Sequence, residues 1–309
     1  MAKKSKAQIQ VEYFVARTIL GFISILPRSL AIAFGMIVAK IAYPFLGSLR
    51  RTGHRNLEIA FPEKSEEERE KLLVKSFDNL GRMLGEVSQF PRATRESLAA
   101  LTDFQVSPET RALHEKAKSE GRGTIVVTPH LGNWEMLVFS YSALESPISY
   151  LARPLDNPKI EDLTVKLRTR FGNRPINKTN SVAPAVEVLR KGEILGILAD
   201  VNAHPKEGVF VPFFGVPACT STGVAMLALR TNSIIIPVCG VWDEKENRYK
   251  IIHGNVIEPA KTGDRKHDVL ETTVAFTSVI EGFIRQYPDQ WIWIHKRWKT
   301  RPPGEPELY

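Results

Sequence analysis

Cysteine is scarce in this sequence, and the cysteines present form no recognisable site. Cys219 and Cys239 are the only two among 309 residues. Nothing in their spacing or neighbours matches a metal-binding or redox motif, so we interpret both as small core residues. Two thiols neither require nor exclude an oxidising compartment, although a reduced cytosolic setting is the simpler expectation.

The sequence also lacks the motifs of several enzyme classes. It has no Walker loop, no dinucleotide-binding glycine pattern and no two-histidine zinc helix, which argues against nucleotide hydrolysis, hydride transfer and zinc-protease chemistry. His204, His253 and His295 have no ligand partners at a recognisable spacing. No motif for nucleic acid is present either, so we expect no nucleic-acid partner.

Acidic residues are almost absent from the first 55 positions. Nine Lys or Arg, among them Lys3, Lys4 and Arg28, stand against Glu12 alone there, a net charge of +8, so the remaining 254 residues sum to zero. A basic, apolar N-terminal segment on a neutral body favours attraction to an anionic membrane surface over nucleic-acid binding.

The apolar stretches of the N-terminal segment are short and interrupted. Residues 11–26 and 30–46 each contain one or two charged side chains and are marginal as membrane spans, which need about 20 mostly apolar residues. An interfacial helix pair and one tilted span are both allowed. A signal peptide ending at residues 31–33 is a third alternative, but the apolar pattern continues past that site. We predict that residues 1–50 form a membrane-anchoring helical segment.

The remainder, residues 51–309, is predicted to be a single domain with a helical part (51–115) and an α/β core (116–309). Ser65 and Glu68 form a capping-box pattern ahead of an amphipathic helix. Short apolar runs then alternate with helical patterns, which predicts an α/β fold with a mostly parallel central sheet flanked by helices. These runs lie at 124–127, 148–151, 194–198, 234–238 and 250–252.

The most informative motif follows the first of these strands. His130 and Glu135 lie in the run Thr-Pro-His-Leu-Gly-Asn-Trp-Glu. On one continuous helix their side chains would be about 140° apart, so a direct contact needs a strand-loop-helix turn, with Gly132 supplying the bend. There Glu135 would orient the imidazole, and His130 would act as a general base. The alternative is a structural histidine beside a surface glutamate.

Other polar residues follow strands of the same predicted sheet. Arg153 and Asp200 each stand at the end of an apolar run, and in open α/β sheets ligands gather at the carboxyl ends of the strands. The tail 291–299 mixes tryptophans with cations, which suits a membrane interface or a phosphate-bearing lipid head group. A tryptophan-rich strand packed at the sheet edge is the alternative.

A serine hydrolase is a competing interpretation. Ser221 lies in Cys-Thr-Ser-Thr-Gly, close to a nucleophile elbow but without its first glycine. That elbow needs small residues on both sides of the serine at a strand-to-helix turn. Ser221 instead follows a long loop and could cap the helix beginning near Gly223.

With these residues in view, the chain resembles the bacterial lipid A biosynthesis acyltransferases, the late lauroyl and myristoyl transferases among the glycerolipid acyltransferases. The likeness runs nearly end to end, and one departure is Val201, where family members often carry Gln after the aspartate. The motifs that carry it are Arg55-Asn56-Leu57 with Phe61-Pro62, His130 to Glu135, Arg153-Pro154, Arg170-Phe171-Gly172, Gly208 to Ala218, Ile236-Pro237, Tyr287 to Trp291 and Arg297 to Pro302.

The resemblance implies transfer of a fatty acyl chain from an acyl carrier protein to a hydroxyl of a lipid A precursor, without an acyl-enzyme. His130 would be the general base and Glu135 its orienting partner, while Arg153 or backbone N–H groups near Gly132 would face the developing oxyanion. Arg170 and Asp200 are expected in substrate binding or in positioning the catalytic loop. Gly208 is a further substrate-binding candidate. No metal or organic cofactor is expected.

The same resemblance implies an enzyme of the inner membrane whose catalytic domain faces the cytoplasm. An apolar slot between the sheet and the N-terminal helices would hold the acyl chain. Two alternatives stay open: an acyl-coenzyme A-dependent enzyme that acylates another glycolipid, such as a phosphatidylinositol mannoside, and a catalytically silent lipid-binding membrane protein. The pairing of His130 with Glu135 speaks against the silent protein.

Overall fold

The computed structural model describes residues 5–309, so Lys3 and Lys4 of the basic N-terminal segment lie outside the described residues. The helices are α1 (Lys6–Ile25), α2 (Arg28–Ala42), α3 (Gly47–Ala60), α4 (Glu66–Gln89), α5 (Arg95–Leu101), α6 (Pro108–Ser119), α7 (Trp134–Leu144), α8 (Pro158–Arg168), α9 (Val182–Arg190), α10 (Gly223–Thr231) and α11 (Arg265–Gln286). The strands are β1 (Thr102–Gln105), β2 (Thr124–Thr128), β3 (Ser149–Ala152), β4 (Arg174–Asn177), β5 (Ile194–Leu198), β6 (Gly208–Phe213), β7 (Val216–Ser221), β8 (Ile234–Asp243) and β9 (Arg248–His253). Short 3₁₀ turns occur at Tyr43–Phe45, Phe90–Arg92 and Pro288–Gln290.

A seven-stranded sheet in the order β1-β9-β8-β2-β5-β3-β4 forms the centre of the fold. Only β8 and β9 pair antiparallel within it, and β6 with β7 makes a separate antiparallel hairpin. The predicted mostly parallel sheet is therefore confirmed, with the five predicted runs at β2, β3, β5, β8 and β9. Four strands were not predicted from the sequence. β1 lies at the sheet edge, and β4, β6 and β7 each contain a proline, which weakens a strand pattern.

Helices cover both faces of the sheet, as the unbroken apolar strands require. Ile125 and Val127 of β2 pack in the cluster that contains buried residues of α9, α10 and α11. Val126 points the other way, against the cluster built around α7. The alternation of successive side chains thus divides one strand between two cores.

Helix α4 begins as its sequence predicts. The Ser65 hydroxyl accepts from the Glu68 amide and the Glu68 carboxylate accepts from the Ser65 amide, which completes the capping box. Leu73 and Phe77 on its apolar face are buried in the core. The predicted core-facing amphipathic helix is confirmed.

Helix α2 lies directly on α4. A Cβ atom built on Gly81 of α4 would stand 2.6 Å from the carbonyl oxygen of Gly35 in α2, so only glycine allows the two backbones to approach this closely. Arg28, at the start of α2, forms an ion pair with the buried Glu86 of α4. These contacts make the inner face of α2 part of the folded body.

The outer faces of α1 and α2 are apolar and exposed. Phe14 is 70% exposed, and the same surface carries Val11, Val15, Ile19, Phe22, Ile25, Leu30, Ile37, Val38 and Ile41. Within the described residues, one segment is long and apolar enough to cross a membrane by length and composition, Arg28–Phe45. That test is weak evidence for membrane anchoring. The predicted domain division stays a prediction, and its boundary after residue 50 falls inside α3.

Candidate active site

The site is built on the turn that joins β2 to α7. Gly132 adopts φ +63°, and a Cβ there would lie 2.0 Å from the carbonyl oxygen of Gly240, so the turn needs glycine at this position. The Asn133 side chain accepts from the Met136 amide and caps α7. As predicted, His130 lies in the turn and Glu135 in the first turn of α7.

The carboxylate that bonds to His130 is Asp200. Its Oδ1 is 2.8 Å from Nδ1 of His130, and its Oδ2 accepts from the His130 backbone amide at 2.7 Å. The indole N–H of Trp291 donates to the same Oδ2 at 2.8 Å. Because an ionised carboxylate can only accept, Nδ1 carries the proton and Nε2 keeps a free lone pair.

The pKa values of this pair move in opposite directions. Burial by itself lowers the pKa of His130, but the charge and hydrogen bond of Asp200 outweigh it, so the pKa stands above its ordinary value. Burial by itself raises the pKa of Asp200, yet the His130 charge and the hydrogen bonds from His130 and Trp291 lower it to about 2. Asp200 is therefore ionised across the physiological pH range.

Glu135 is bonded to Arg168 instead of His130, which corrects the predicted orienting contact. The Nε of Arg168 donates to Oε2 of Glu135 at 2.8 Å, and a second, shorter bond joins the terminal guanidinium nitrogen to Oε1. This two-pronged geometry holds a guanidinium firmly. The charge of Glu135 still acts on the pKa of His130 in the raising direction, so the two groups are neighbours without a hydrogen bond.

A cavity of about 1070 Å³ connects these groups. His130, Glu135 and Arg168 line it together with Tyr150, whose hydroxyl is buried and whose ring lies 5.9 Å from the Arg168 guanidinium. A narrow apolar arm continues between the sheet and α7, lined by Val126, Leu137, Val138, Tyr141, Ile148 and Val238. The expected apolar slot thus lies beside α7, not beside the N-terminal helices.

The floor of this arm has a gap in its row of side chains. Gly196 of β5 stands in register with Val126 on β2 and Tyr150 on β3. Residues in register across a parallel sheet point to the same face, so Gly196 stands between two large side chains, and the end of the Ile148 side chain lies close to it.

Comparison with known proteins identifies the family to which this architecture belongs. Residues 1–300 match the sequence profile of the bacterial lipid A biosynthesis acyltransferases. The lipid A biosynthesis lauroyltransferase of Escherichia coli (strain K12) is 30% identical over 285 residues, covering 92% of this chain and 90% of the relative. The chain belongs to this acyltransferase family.

Two further relatives from Escherichia coli (strain K12) agree. The lipid A biosynthesis palmitoleoyltransferase is 28% identical with coverage of 92% of this chain and 90% of the relative. The lipid A biosynthesis myristoyltransferase is 24% identical, covering 86% of this chain and 81% of the relative. The relatives' names differ in the acyl group transferred, so membership makes the chain an acyltransferase without fixing its acyl chain.

The other predicted substrate-binding residues of this acyltransferase are dispersed. Arg153 lies at the exposed mouth of the cavity, 3.7 Å from Asp156. Arg170 does not line the cavity and donates to the backbone carbonyl of Phe90. Gly208 begins the β6–β7 hairpin, where a Cβ would lie 2.7 Å from Sγ of Cys219, so its glycine serves close packing. The roles of Arg153, Arg170 and Gly208 in substrate binding stay predictions.

The competing serine-hydrolase interpretation finds no support in the site. The Ser221 hydroxyl accepts from the Gly223 amide at 3.3 Å, and within residues 5–309 no hydrogen bond links it to a histidine. A nucleophilic serine needs an adjacent base. Ser221 lies in the cavity wall at the start of α10, and no histidine bonded to it within the described residues could act as that base.

The tryptophan-rich tail is part of the core, which corrects its interpretation as a membrane-interface segment. Trp291, Trp293 and Trp298 are almost completely buried. The Ile292 amide donates to the carbonyl oxygen of His130 at 3.1 Å, so the tail runs beside the catalytic turn. Sequence reasoning missed both Trp291 and Arg168, because nothing in the local pattern shows which distant group each contacts.

Proposed function

We propose that this acyltransferase transfers a fatty acyl group from the thioester of an acyl carrier protein to a hydroxyl of a lipid A precursor, as a secondary acylation. The observation that carries the proposal is the His130–Asp200 pair, whose histidine lines a mainly apolar cavity. The relatives are enzymes of lipid A biosynthesis, which supports that process here. The donor follows from the family resemblance.

His130 is the proposed general base. Its Nε2 takes the proton from the acceptor hydroxyl while the hydroxyl oxygen attacks the thioester carbonyl carbon, which removes the need for a free alkoxide. As the tetrahedral intermediate collapses, the carbon–sulfur bond breaks and the imidazolium returns the proton to the departing thiolate. The ester and a free thiol are the products, and atoms and charge balance without a further reactant.

Arg168 is the proposed partner of the developing oxyanion. The backbone amides of Gly132 and Asn133, considered for this role from sequence, already donate to Gln290 and Gly240. Arg168 lines the cavity and is held in place by Glu135, and a fixed cation in a partly dry site stabilises developing negative charge. Glu135 acts through Arg168 in this mechanism.

The enzyme is proposed to work at the cytoplasmic face of the inner membrane. Exposed apolar side chains on α1 and α2, together with the basic N-terminal segment, suit insertion into the interface of an anionic leaflet. The packing of α2 on α4 favours helices that lie in the interface over a free span. The absence of a metal or organic cofactor stays part of the proposal.

The testing experiment is acyl transfer by detergent-solubilised protein, followed by mass spectrometry. Acyl carrier protein thioesters of several lengths and, in parallel, acyl-coenzyme A are offered with an underacylated lipid A precursor. We expect one added acyl group with the wild type and a loss of about 10²–10⁴-fold in His130→Ala. Product that survives in His130→Ala would refute the mechanism, and transfer from acyl-coenzyme A alone would refute the donor.

A further inference from the structure

The cavity extends well beyond the catalytic groups, along the side of α10. Ser221, Val224, Leu227 and Arg230 line it in succession. The eight helical residues from Gly223 to Arg230 span about 10 Å. We call this extension the α10 groove. Its middle is apolar, and it ends at Arg230 and at Arg265, the first residue of α11.

The cations along the α10 groove are exposed and uncompensated. Lys206, Arg230 and Arg265 line the cavity, and within residues 5–309 none of them takes part in an ion pair or a side-chain hydrogen bond. Glu207 is the carboxylate that lines the same stretch. At the far end Asp268 lies next to the two arginines, with Oδ1 accepting from the backbone and hydroxyl of Thr262.

Two other cations of the cavity have partners, while Lys178, which also lines it, forms no ion pair within residues 5–309. Arg168 is bonded to Glu135 and Arg153 lies 3.7 Å from Asp156. Among the described residues, Lys206, Arg230 and Arg265 form no ion pair and outnumber the two carboxylates near them, Glu207 and Asp268. The resulting positive field over the groove attracts an anionic partner and orients its approach.

The α10 groove is lined by no residue of the helices that carry the exposed apolar surface, α1 and α2. Helix α10 packs between α9 and α11, on the face opposite α7. Helix α1 instead packs on α8 and α4, and Asn157, the cap of α8, donates to Ile9 and Glu12 of α1. A water-soluble partner can therefore reach the α10 groove while α1 and α2 lie on a bilayer.

We infer that the α10 groove is the docking site of the protein that delivers the acyl chain. This inference rests on the proposed function. Lys206, Arg230 and Arg265 receive an acidic surface of the acyl carrier protein, and the largely uncharged prosthetic arm lies on Val224 and Leu227. The thioester at the end of the prosthetic group then reaches the cavity beside His130, and the acyl chain enters the apolar part of the cavity beside α7.

The test compares two donors that differ only in the presence of the protein. Wild type and the triple variant Lys206→Gln, Arg230→Gln, Arg265→Gln are assayed with an acyl carrier protein thioester and with the acyl-pantetheine of the same chain. We expect the ratio of kcat/KM for the carrier-protein donor to kcat/KM for acyl-pantetheine to fall about tenfold or more, through KM, at low salt. The wild-type ratio should itself fall as salt rises.

The matched control removes the same number and type of charges from other positions. Lys118→Gln, Arg111→Gln, Arg190→Gln also replaces one lysine and two arginines, all exposed and outside the cavity lining, and should leave the ratio unchanged. An unchanged ratio in the first variant overturns the inference. So does a rise in acceptor KM with both donors, which would assign the cations to phosphates of the glycolipid. Wild type that uses neither donor refutes the proposed function itself.

Discussion

At the scale of the residue, the most consequential contact is the one between His130 and Asp200. These residues are 70 positions apart, yet each stands two residues beyond Thr128 and Leu198, which are in register on β2 and β5. The sequence predicts both strands and places both residues at strand ends. It does not show that β2 and β5 are neighbours. Without that information, Glu135 is the carboxylate predicted to contact His130.

The pH dependence of the reaction tests the pair. The raised pKa of His130 means that the neutral base becomes populated only as pH rises through a value above 6.5, so kcat/KM of the wild type should rise with pH there. Asp200→Asn removes the charge that raises the pKa of His130, while burial still lowers that pKa. We expect the acid limb to move to lower pH and kcat to fall by about 10²–10⁴. A profile unchanged in position would contradict the pairing.

Trp291 should also influence the His130–Asp200 pair, through its hydrogen bond to Asp200. Trp291→Phe keeps the ring but removes the donor to Oδ2 of Asp200. We expect the free energy of unfolding to fall by about 1–3 kcal/mol, since a buried charged acceptor loses a hydrogen bond, and the acid limb of the pH–rate profile to move. Trp293→Phe, which loses a bond to the Pro288 carbonyl, is the control: it should destabilise without moving the profile.

At the scale of the element, the sheet was predictable where strands are apolar and unbroken. The strands β2, β5 and β8 are recognisable from the sequence as unbroken apolar runs, because each strand is covered on both faces. β4 and the β6–β7 hairpin could not be recognised, since their residues are partly exposed and interrupted by prolines. Their pairing comes from tertiary contacts.

The apolar arm beside α7 should select the acyl chain by length. A Cβ on Gly196 would lie 3.3 Å from the end of the Ile148 side chain, so Gly196→Leu must displace Ile148 and takes up space between Val126 and Tyr150. We expect the preferred donor to become shorter, each excluded CH₂ forfeiting about 0.8 kcal/mol of binding. Competition among thioesters of graded length, read by mass spectrometry, measures this. Gly282→Leu, at an open position of α11, should keep the wild-type preference.

The contact between α2 and α4 is equally specific. Gly81→Ala would place a methyl group 2.6 Å from the Gly35 carbonyl oxygen, which the two backbones can relieve only by separating. We expect a loss of about 1–3 kcal/mol in the free energy of unfolding in detergent. Gly21→Ala, in α1 with nothing within 4 Å, is the control and should be neutral or stabilising. Equal stability of the two variants would show that α2 is not fixed on α4.

At the scale of the whole molecule, charge and apolar surface are separated. The exposed apolar side chains belong to α1 and α2, whereas the α10 groove is lined by other elements. The sequence predicts the first, since basic and apolar residues are concentrated in the first 55 positions. It does not predict the second, because Lys206, Arg230 and Arg265 are scattered along the chain and only folding collects them.

Membrane binding should depend on the outer face of α1. We expect Phe14→Glu with Phe22→Glu to reduce flotation of the protein with anionic vesicles several-fold, since burial of each large apolar side chain contributes about 1.5–3 kcal/mol. Leu113→Glu, an exposed apolar position on α6, is the control and should leave flotation unchanged. Equal flotation of all three proteins would exclude α1 from the membrane contact.

The tail that reaches back to the catalytic turn has a consequence for the order of events during synthesis. Trp291 and Ile292 bond to Asp200 and His130, so the base cannot be correctly held until residues 291 and 292 have left the ribosome. Helices α1 and α2 emerge some 250 residues earlier. The exposed apolar helices are therefore complete long before the His130–Asp200 pair is assembled, so the chemical site is among the last parts of the fold to form.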